Sequence, residues 1–176
     1  MVERWLQANR DAEAAGDWGP MADLYTPDAS YGWNFGAAEN FMAVGREEIR
    51  TLALGTEMVG LDGWEYPYEE ILIDEVKGQV VGFWRQIADA KRADGSAYEV
   101  AGIGGSWFRY AGNQMWSWQR DWFDFGNAAA LFIEMMTDGT LSAGMTERME
   151  RSMKPGQLPG HYRLSDTPVG LWEVSA

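Results

Sequence analysis

The sequence predicts an α+β fold: a cone-shaped, curved antiparallel sheet wrapped by N-terminal helices, with a helical C-terminal extension. Three observations predict it. Helical periodicity dominates up to Gly55. Strand periodicity, punctuated by turn residues, runs from Trp64 to Phe125. Helical periodicity returns over residues 127–152.

Each element has a local reason. Residues 2–15 predict a helix, with Trp5, Leu6, Asn9, Ala12 and Glu13 along one stripe and Gly16 as its stop. Asp17 caps a second, short helix that begins near Pro20 and carries Met21, Leu24 and Tyr25. SYGWNFG reads as a short strand or loop, and GREEIRTLALG as a third helix ending near Gly55. WEYPYEEILIDEV and GQVVGFWRQIADAKR are expected strands joined at Lys77-Gly78. After a turn at Ala93–Gly95, SAYEVAGIGGSWFRY is a long strand in which GIGG marks a bulge or sharp bend. A turn at Ala111–Asn113 leads into QMWSWQRDWFDF, the last long strand. The helical stretch 127–152 is interrupted at TDGT, and the segment after Lys154 is irregular. Residues 1–125 read as the cone, and 126–176 as an extension and tail of the same domain.

Composition excludes several functions. A chain of 176 residues supports one domain with a real core. No stretch approaches the roughly 18–20 apolar residues of a membrane span, and the N-terminus lacks an apolar signal core, so a cytoplasmic protein is expected. Without Cys there is no disulfide, thiolate metal site or Cys nucleophile. A net charge of -13 opposes phosphate backbones and anionic membranes, so neither is an expected partner. One His, no metal-ligand spacing, no G-x-G-x-x-G and no P-loop leave no metal or cofactor expected. Ten Trp must line a core, a pocket or an interface.

AAGDW…ADLYTPDASY, GREEI ahead of the meander, and a long strand ending in QRDWFD occur in an order that resembles the nuclear-transport-factor-two-like (SnoaL-like) superfamily over residues 1 to about 125. The resemblance implies a bent sheet around a deep apolar cavity. It does not imply one activity, because the superfamily includes isomerases, dehydratases, cyclases, epoxide hydrolases and non-catalytic binders. The run Gln119-Arg120-Asp121-Trp122-Phe123-Asp124 is similar to the last strand of limonene-epoxide-hydrolase-like proteins, and Asp121 takes the position of their catalytic acid. The resemblance assigns Arg85 to that family's arginine, with Ile87 where its second acid belongs, and Tyr31 and Asn34 to its water-binding pair. Ketosteroid isomerases would need acids near Trp33 and Ser106, and scytalone-dehydratase-like members use sheet histidines that this chain lacks.

Strand parity tests these candidates. Met115, Ser117, Gln119, Asp121 and Phe123 share one face of the last strand; Trp116, Trp118, Arg120, Trp122 and Asp124 share the other. On the earlier strand Val81, Phe83, Arg85 and Ile87 lie together, opposite Trp84. An inward Asp121 and Arg85 would place hydrocarbon around both. Trp84, Trp116, Trp118 and Trp122 would then form an outer stripe needing cover, for which a homodimer is expected. His161 reads as a tail histidine, or as part of a tail folded over a cavity mouth of its own or a partner's chain. The Met-rich segment FIEMMTDGTLSAGMTERMERSM reads as helix core or as an adaptable cavity wall.

The expected function is a cofactor-independent acid-base enzyme on a hydrophobic, aromatic small molecule: a lyase of elimination or retro-aldol type, lignin-derived diaryl compounds being one plausible class. An epoxide hydrolase and a non-catalytic binder of aromatic metabolites are the alternatives. Asp121 is the expected base, Arg85 its orienting partner and Tyr31 a donor. Asn34, Trp33, Phe83, Tyr98, Met115, Gln119 and Phe123 are expected to bind substrate.

Overall fold

The structure, a computed structural model, describes residues 1–152 and 158–173. In chain order the elements are α1 (Val2–Ala15), β1 (Tyr25–Phe35), β2 (Glu39–Val44), α2 (Arg46–Glu48, continued by a wider turn through Ala53), β3 (Tyr68–Asp74), β4 (Gln79–Trp84), β5 (Ile87–Lys91), β6 (Ala97–Glu99), β7 (Gly104–Gly112), β8 (Met115–Trp122), α3 (Phe125–Thr137), α4 (Ala143–Ser152) and β9 (His161–Arg163). Seven strands form one sheet in the order β3-β4-β7-β8-β1-β2-β9, and β5 and β6 form a separate ribbon. All neighbours are antiparallel except β1 and β8, which run parallel. No described helix is long and apolar enough to cross a membrane.

Helix α1 ends where expected. Gly16 takes φ 64°, and its N–H caps the carbonyls of Ala12 and Glu13. The inner stripe buries Trp5, Asn9 and Ala12. The expected second helix is a 3-10 turn over Gly19–Leu24, and Tyr25 already opens β1. Pro27 explains the stop: it disfavours helix at Thr26 and lies in the bulge between the Tyr25 and Ser30 pairings with β8.

Further elements differ from the sequence expectation. The strand expected over SAYEVAGIGGSWFRY divides into β6, in the ribbon, and β7, in the main sheet. β1 has 11 residues rather than a short run. β2 was not foreseen, because ENFMAV is buried almost throughout and shows no alternation to read. The long strand through Arg85 breaks at Arg85-Gln86, where β4 leaves the main sheet and β5 begins. The tail contributes β9, paired with β2 through His161, Tyr162 and Arg163.

Two apolar clusters hold the body together. One packs α1 on the sheet through Trp5, Tyr25, Phe108, Trp116 and Ile49. The other lies under α3 and α4 and contains Trp64, Tyr98, Leu131, Met135 and Met145. Residues from both line a cavity of about 230 Å³, so the C-terminal helices form part of its wall.

Candidate active site

The parity expectation holds for part of β8 and fails for the rest. Gln119, Asp121 and Phe123 line the cavity. Trp116, expected outside, packs against Trp5 and Phe108 in the core. The register explains it: Arg109 pairs Trp118 while Tyr110 pairs Trp116, leaving Ser117 as an extra residue that reverses the facing. Met115 lies beyond that bulge, its sulfur against Arg46, and does not line the cavity.

On β4 the expectation is inverted. Trp84 faces the cavity and Phe83 faces outward against Trp122. Gly82 makes room for this packing, since a Cβ there would meet the Tyr68 ring at 2.5 Å. Arg85 consequently leaves the site. It is half exposed and pairs with Glu99 at 2.5 Å and Glu69 at 3.4 Å. A guanidinium in the cavity would lose hydration, whereas outside it finds two carboxylates. Arg85 therefore does not orient Asp121.

Asn34 is exposed and spans the β1–β2 turn, donating to the Glu39 carbonyl and to Asn40. Tyr98 is buried in the second cluster and donates to Asp138. Neither lines the cavity. Tyr31 and Trp33 do, because alternate residues of β1 point inward there.

Asp121 is the centre of a polar network. Tyr31 donates its hydroxyl proton to Oδ2 at 2.5 Å, and Gln119 Nε2 donates to Oδ1 at 2.8 Å. Gln119 is fixed in turn by Tyr25, whose hydroxyl donates to its Oε1. Ser106 lies directly across the β7–β8 pair from Asp121. Ser106 accepts from Trp84 Nε1 at 2.9 Å and from the Tyr68 hydroxyl at 3.4 Å. Trp5 Nε1 completes the shell by donating to Tyr68 at 3.3 Å.

The electrostatics follow from burial. The Asp121 carboxyl sits deep in the protein and keeps accessible surface at the cavity it lines. Desolvation raises its pKa; hydrogen bonds from Gln119 and Tyr31 pull the other way and only partly offset it. Tyr31 is held well above the usual tyrosine range, first by burial and then by the neighbouring Asp121 charge, so it stays a protonated donor. Arg120, next in sequence, points to the opposite face. Burial lowers its pKa to about 10, and the nearby Arg109 charge adds to the effect.

That outer face carries less exposed indole than expected. Trp84 and Trp116 are inside, and Trp118 is fully buried by the chain's own C-terminal segment. Trp118 Nε1 donates to the Glu173 carbonyl at 2.7 Å, and Arg120 donates to the carbonyls of Leu171, Gly170 and Glu173. The tail thus supplies the cover that a partner chain was expected to supply for Trp118. Trp122 remains partly exposed.

A second ionic cluster adjoins the cavity. Glu57 and Arg148 both line it and pair at 3.1 Å, and His161 Nε2 meets Glu57 Oε1 at 3.1 Å. Burial pushes the Glu57 carboxyl up, but the His161 hydrogen bond and the Arg148 charge outweigh it and leave a net lowering. His161 is buried, with its ring edge-on to Phe35 and Phe41. It therefore folds onto the body of its own chain rather than staying in an open loop. The sequence gives no sign of this cluster, whose members lie 91 and 104 residues apart. Ser106, Tyr68, Tyr25 and Trp84 were missed as well; a correct β7–β8 register would have placed Ser106 opposite Asp121.

No protein-family model and no curated protein matches the sequence. Solved structures do match in fold. A SnoaL-like polyketide cyclase, so named putatively, from Shewanella denitrificans OS-217 is 13% identical, with TM-score 0.55, covering 75% of this chain and 96% of that one. An NTF2-like protein from Anabaena variabilis ATCC 29413 is 16% identical, with TM-score 0.52, covering 70% and 86%. A phenazine biosynthesis-related protein from Pseudomonas aeruginosa is 10% identical, with TM-score 0.51, covering 74% and 90%. The chain therefore has the nuclear-transport-factor-two-like fold.

Proposed function

We propose that the chain is a cofactor-independent acid-base enzyme acting on a small, hydrophobic, aromatic molecule, with Asp121 as the proton acceptor. One observation carries the reading: a half-buried carboxylate, tied by Tyr31 and Gln119, at the wall of a cavity lined by Trp, Tyr and Phe. An ionised carboxylate offers about four acceptor positions. Two donors hold it in place and leave room for a substrate proton. Its raised pKa makes it a stronger base than an ordinary aspartate.

The reaction class that fits is elimination or retro-aldol cleavage. In the first, Asp121 takes a proton from the carbon beside a carbonyl and the β-leaving group departs. In the second, it takes a hydroxyl proton, the carbon–carbon bond breaks, and an enolate leaves. The cavity of about 230 Å³ is smaller than the roughly 300–1,000 Å³ of clefts for drug-sized ligands, which favours a ligand of one or two rings. Epoxide hydrolysis of the limonene-epoxide-hydrolase type has less support, since Arg85 pairs outside with Glu99 and Glu69.

The test is hydrogen–deuterium exchange at the acidic carbon of 2-tetralone and related aryl ketones, followed by NMR in deuterated buffer. The wild type should accelerate exchange and Asp121→Asn should not. Ligand binding with no exchange in either protein would leave a binder and overturn the enzyme reading.

A further inference from the structure

We infer that Asn9 is a substrate-recognition residue, its carboxamide holding a hydroxyl or carbonyl oxygen of the aromatic ligand in the cavity. The inference rests on the cavity being a substrate site, and not on which bond Asp121 breaks.

Asn9 is only 7% exposed and lines the cavity from α1. The other polar cavity groups have protein partners. Tyr31 and Gln119 hold Asp121, and Ser106 takes Trp84 and Tyr68. Glu57 takes Arg148 and His161, and Gln86 reaches the Tyr66 hydroxyl. The Asn9 amide has no hydrogen-bond partner among the described residues. Its two neighbours on the same helix stripe, Trp5 and Ala12, are apolar core residues.

The carboxamide keeps its polar surface at the cavity, with its donors and acceptor free to meet a ligand group. The residue makes sense if its partner arrives with the ligand. The surroundings say what kind of ligand. Trp5, Trp18 and Tyr66 line the same cavity, so aromatic surface is favoured. Of the charged groups lining it, Glu57 is paired with Arg148, so the Asp121 carboxylate disfavours an anion. A carboxamide can both donate and accept, which suits a neutral hydroxyl or carbonyl.

Position relative to the reacting proton follows from the helix. Trp5, one turn before Asn9, donates to Tyr68, which reaches Ser106, across the β7–β8 pair from Asp121. The amide thus sits a helical turn further along the wall. The ligand's oxygen would be anchored there while its acidic position faces Asp121.

A matched pair of probes tests this: 2-naphthol and 2-methylnaphthalene, of similar shape, one with a hydroxyl. Equilibrium dialysis against the full chain gives their affinity ratio. The wild type should prefer the naphthol by about tenfold, the scale of one hydrogen bond to a buried group left unpaired in its absence. Asn9→Leu and Asn9→Ala should erase the preference, and Arg85→Ala, outside the cavity, should keep it. Circular dichroism melts confirm that the variants are folded, and Asn9→Leu should melt no lower than wild type. A preference unchanged in both Asn9 variants, or lost as well in Arg85→Ala, overturns the inference. Failure of the wild type to bind either probe overturns it together with the substrate-site reading. A preference that depends on Asn9 in a protein without Asp121-dependent exchange keeps the inference and removes the proposed reaction.

Discussion

Tyr31 and Asp121 meet at 2.5 Å although 90 residues separate them in the chain. The contact exists because β1 and β8 lie side by side in parallel, with Tyr31 opposite Gln119 and Trp33 opposite Asp121. A protonated phenol against a partly desolvated carboxylate is the chemical core of the site, and most of the expected behaviour follows from it.

Turnover should fall as pH drops, over a range above that of an ordinary aspartate. The base works when ionised, and burial raises the pKa of Asp121. Asp121→Asn should lower kcat by roughly 10²–10⁴-fold and remove the acid limb, read from the pH profile of the exchange assay. The same shift has a stability side. A carboxyl whose folded pKa is raised stabilises the fold fully below its unfolded value, and that contribution is lost as pH rises through the folded value.

Tyr31→Phe should leave the fold intact and strip one donor from the carboxylate. Since that hydrogen bond lowers the Asp121 pKa, its loss should move the acid limb to still higher pH. A loss in kcat of roughly 10–100-fold, with little change in KM, is expected for a donor that positions the base. An unmoved pH profile would contradict the pairing.

How much of this is readable in the sequence depends on the residue. Asp121 and Tyr31 come from the family resemblance, and period-2 alternation along the end of β8 adds Gln119 and Phe123 on the same face. Arg85 was misplaced because its strand was read with the wrong face inward; Gly82 and Trp84, not Phe83, determine the packing. Trp116 was misplaced because a bulge at Ser117 is invisible to a parity count. Partners such as Ser106 and Glu57 are set by register and by a returning tail, and neither leaves a local trace in the sequence. The curved sheet and the flanking helices were legible from periodicity and turn residues, while β2 and β9 lacked both.

Glu57→Gln should destabilise the protein at neutral pH and much less in acid. The glutamate's folded pKa is lowered, so its contribution is present above the ordinary glutamate range and is lost as pH falls through the folded value. Thermal melts of wild type and variant should converge as pH falls below about 4. Parallel melting curves at all pH values would mean that the Arg148 and His161 contacts add no net stability.

Arg120→Ala should loosen the C-terminal segment. The guanidinium is buried, has no carboxylate partner among the described residues, and binds carbonyls of residues 170, 171 and 173. Amide exchange across residues 170–173 should rise, and stability should drop by roughly 1–3 kcal/mol. Trp118 fluorescence should shift to the red as its cover is lost.

The side-by-side placement of β1 and β8 also bears on synthesis. When the ribosome has released β1 through β7, the Tyr31 strand still lacks one neighbour, since β8 begins only at Met115. The chamber cannot take shape until about two thirds of the polypeptide has emerged. Refolding should therefore be slow for a chain this short, as expected where early and late segments must find each other. Nascent fragments ending before residue 115 should attract chaperones, through the unpaired strand and the aromatic surface that the last strands would otherwise hide.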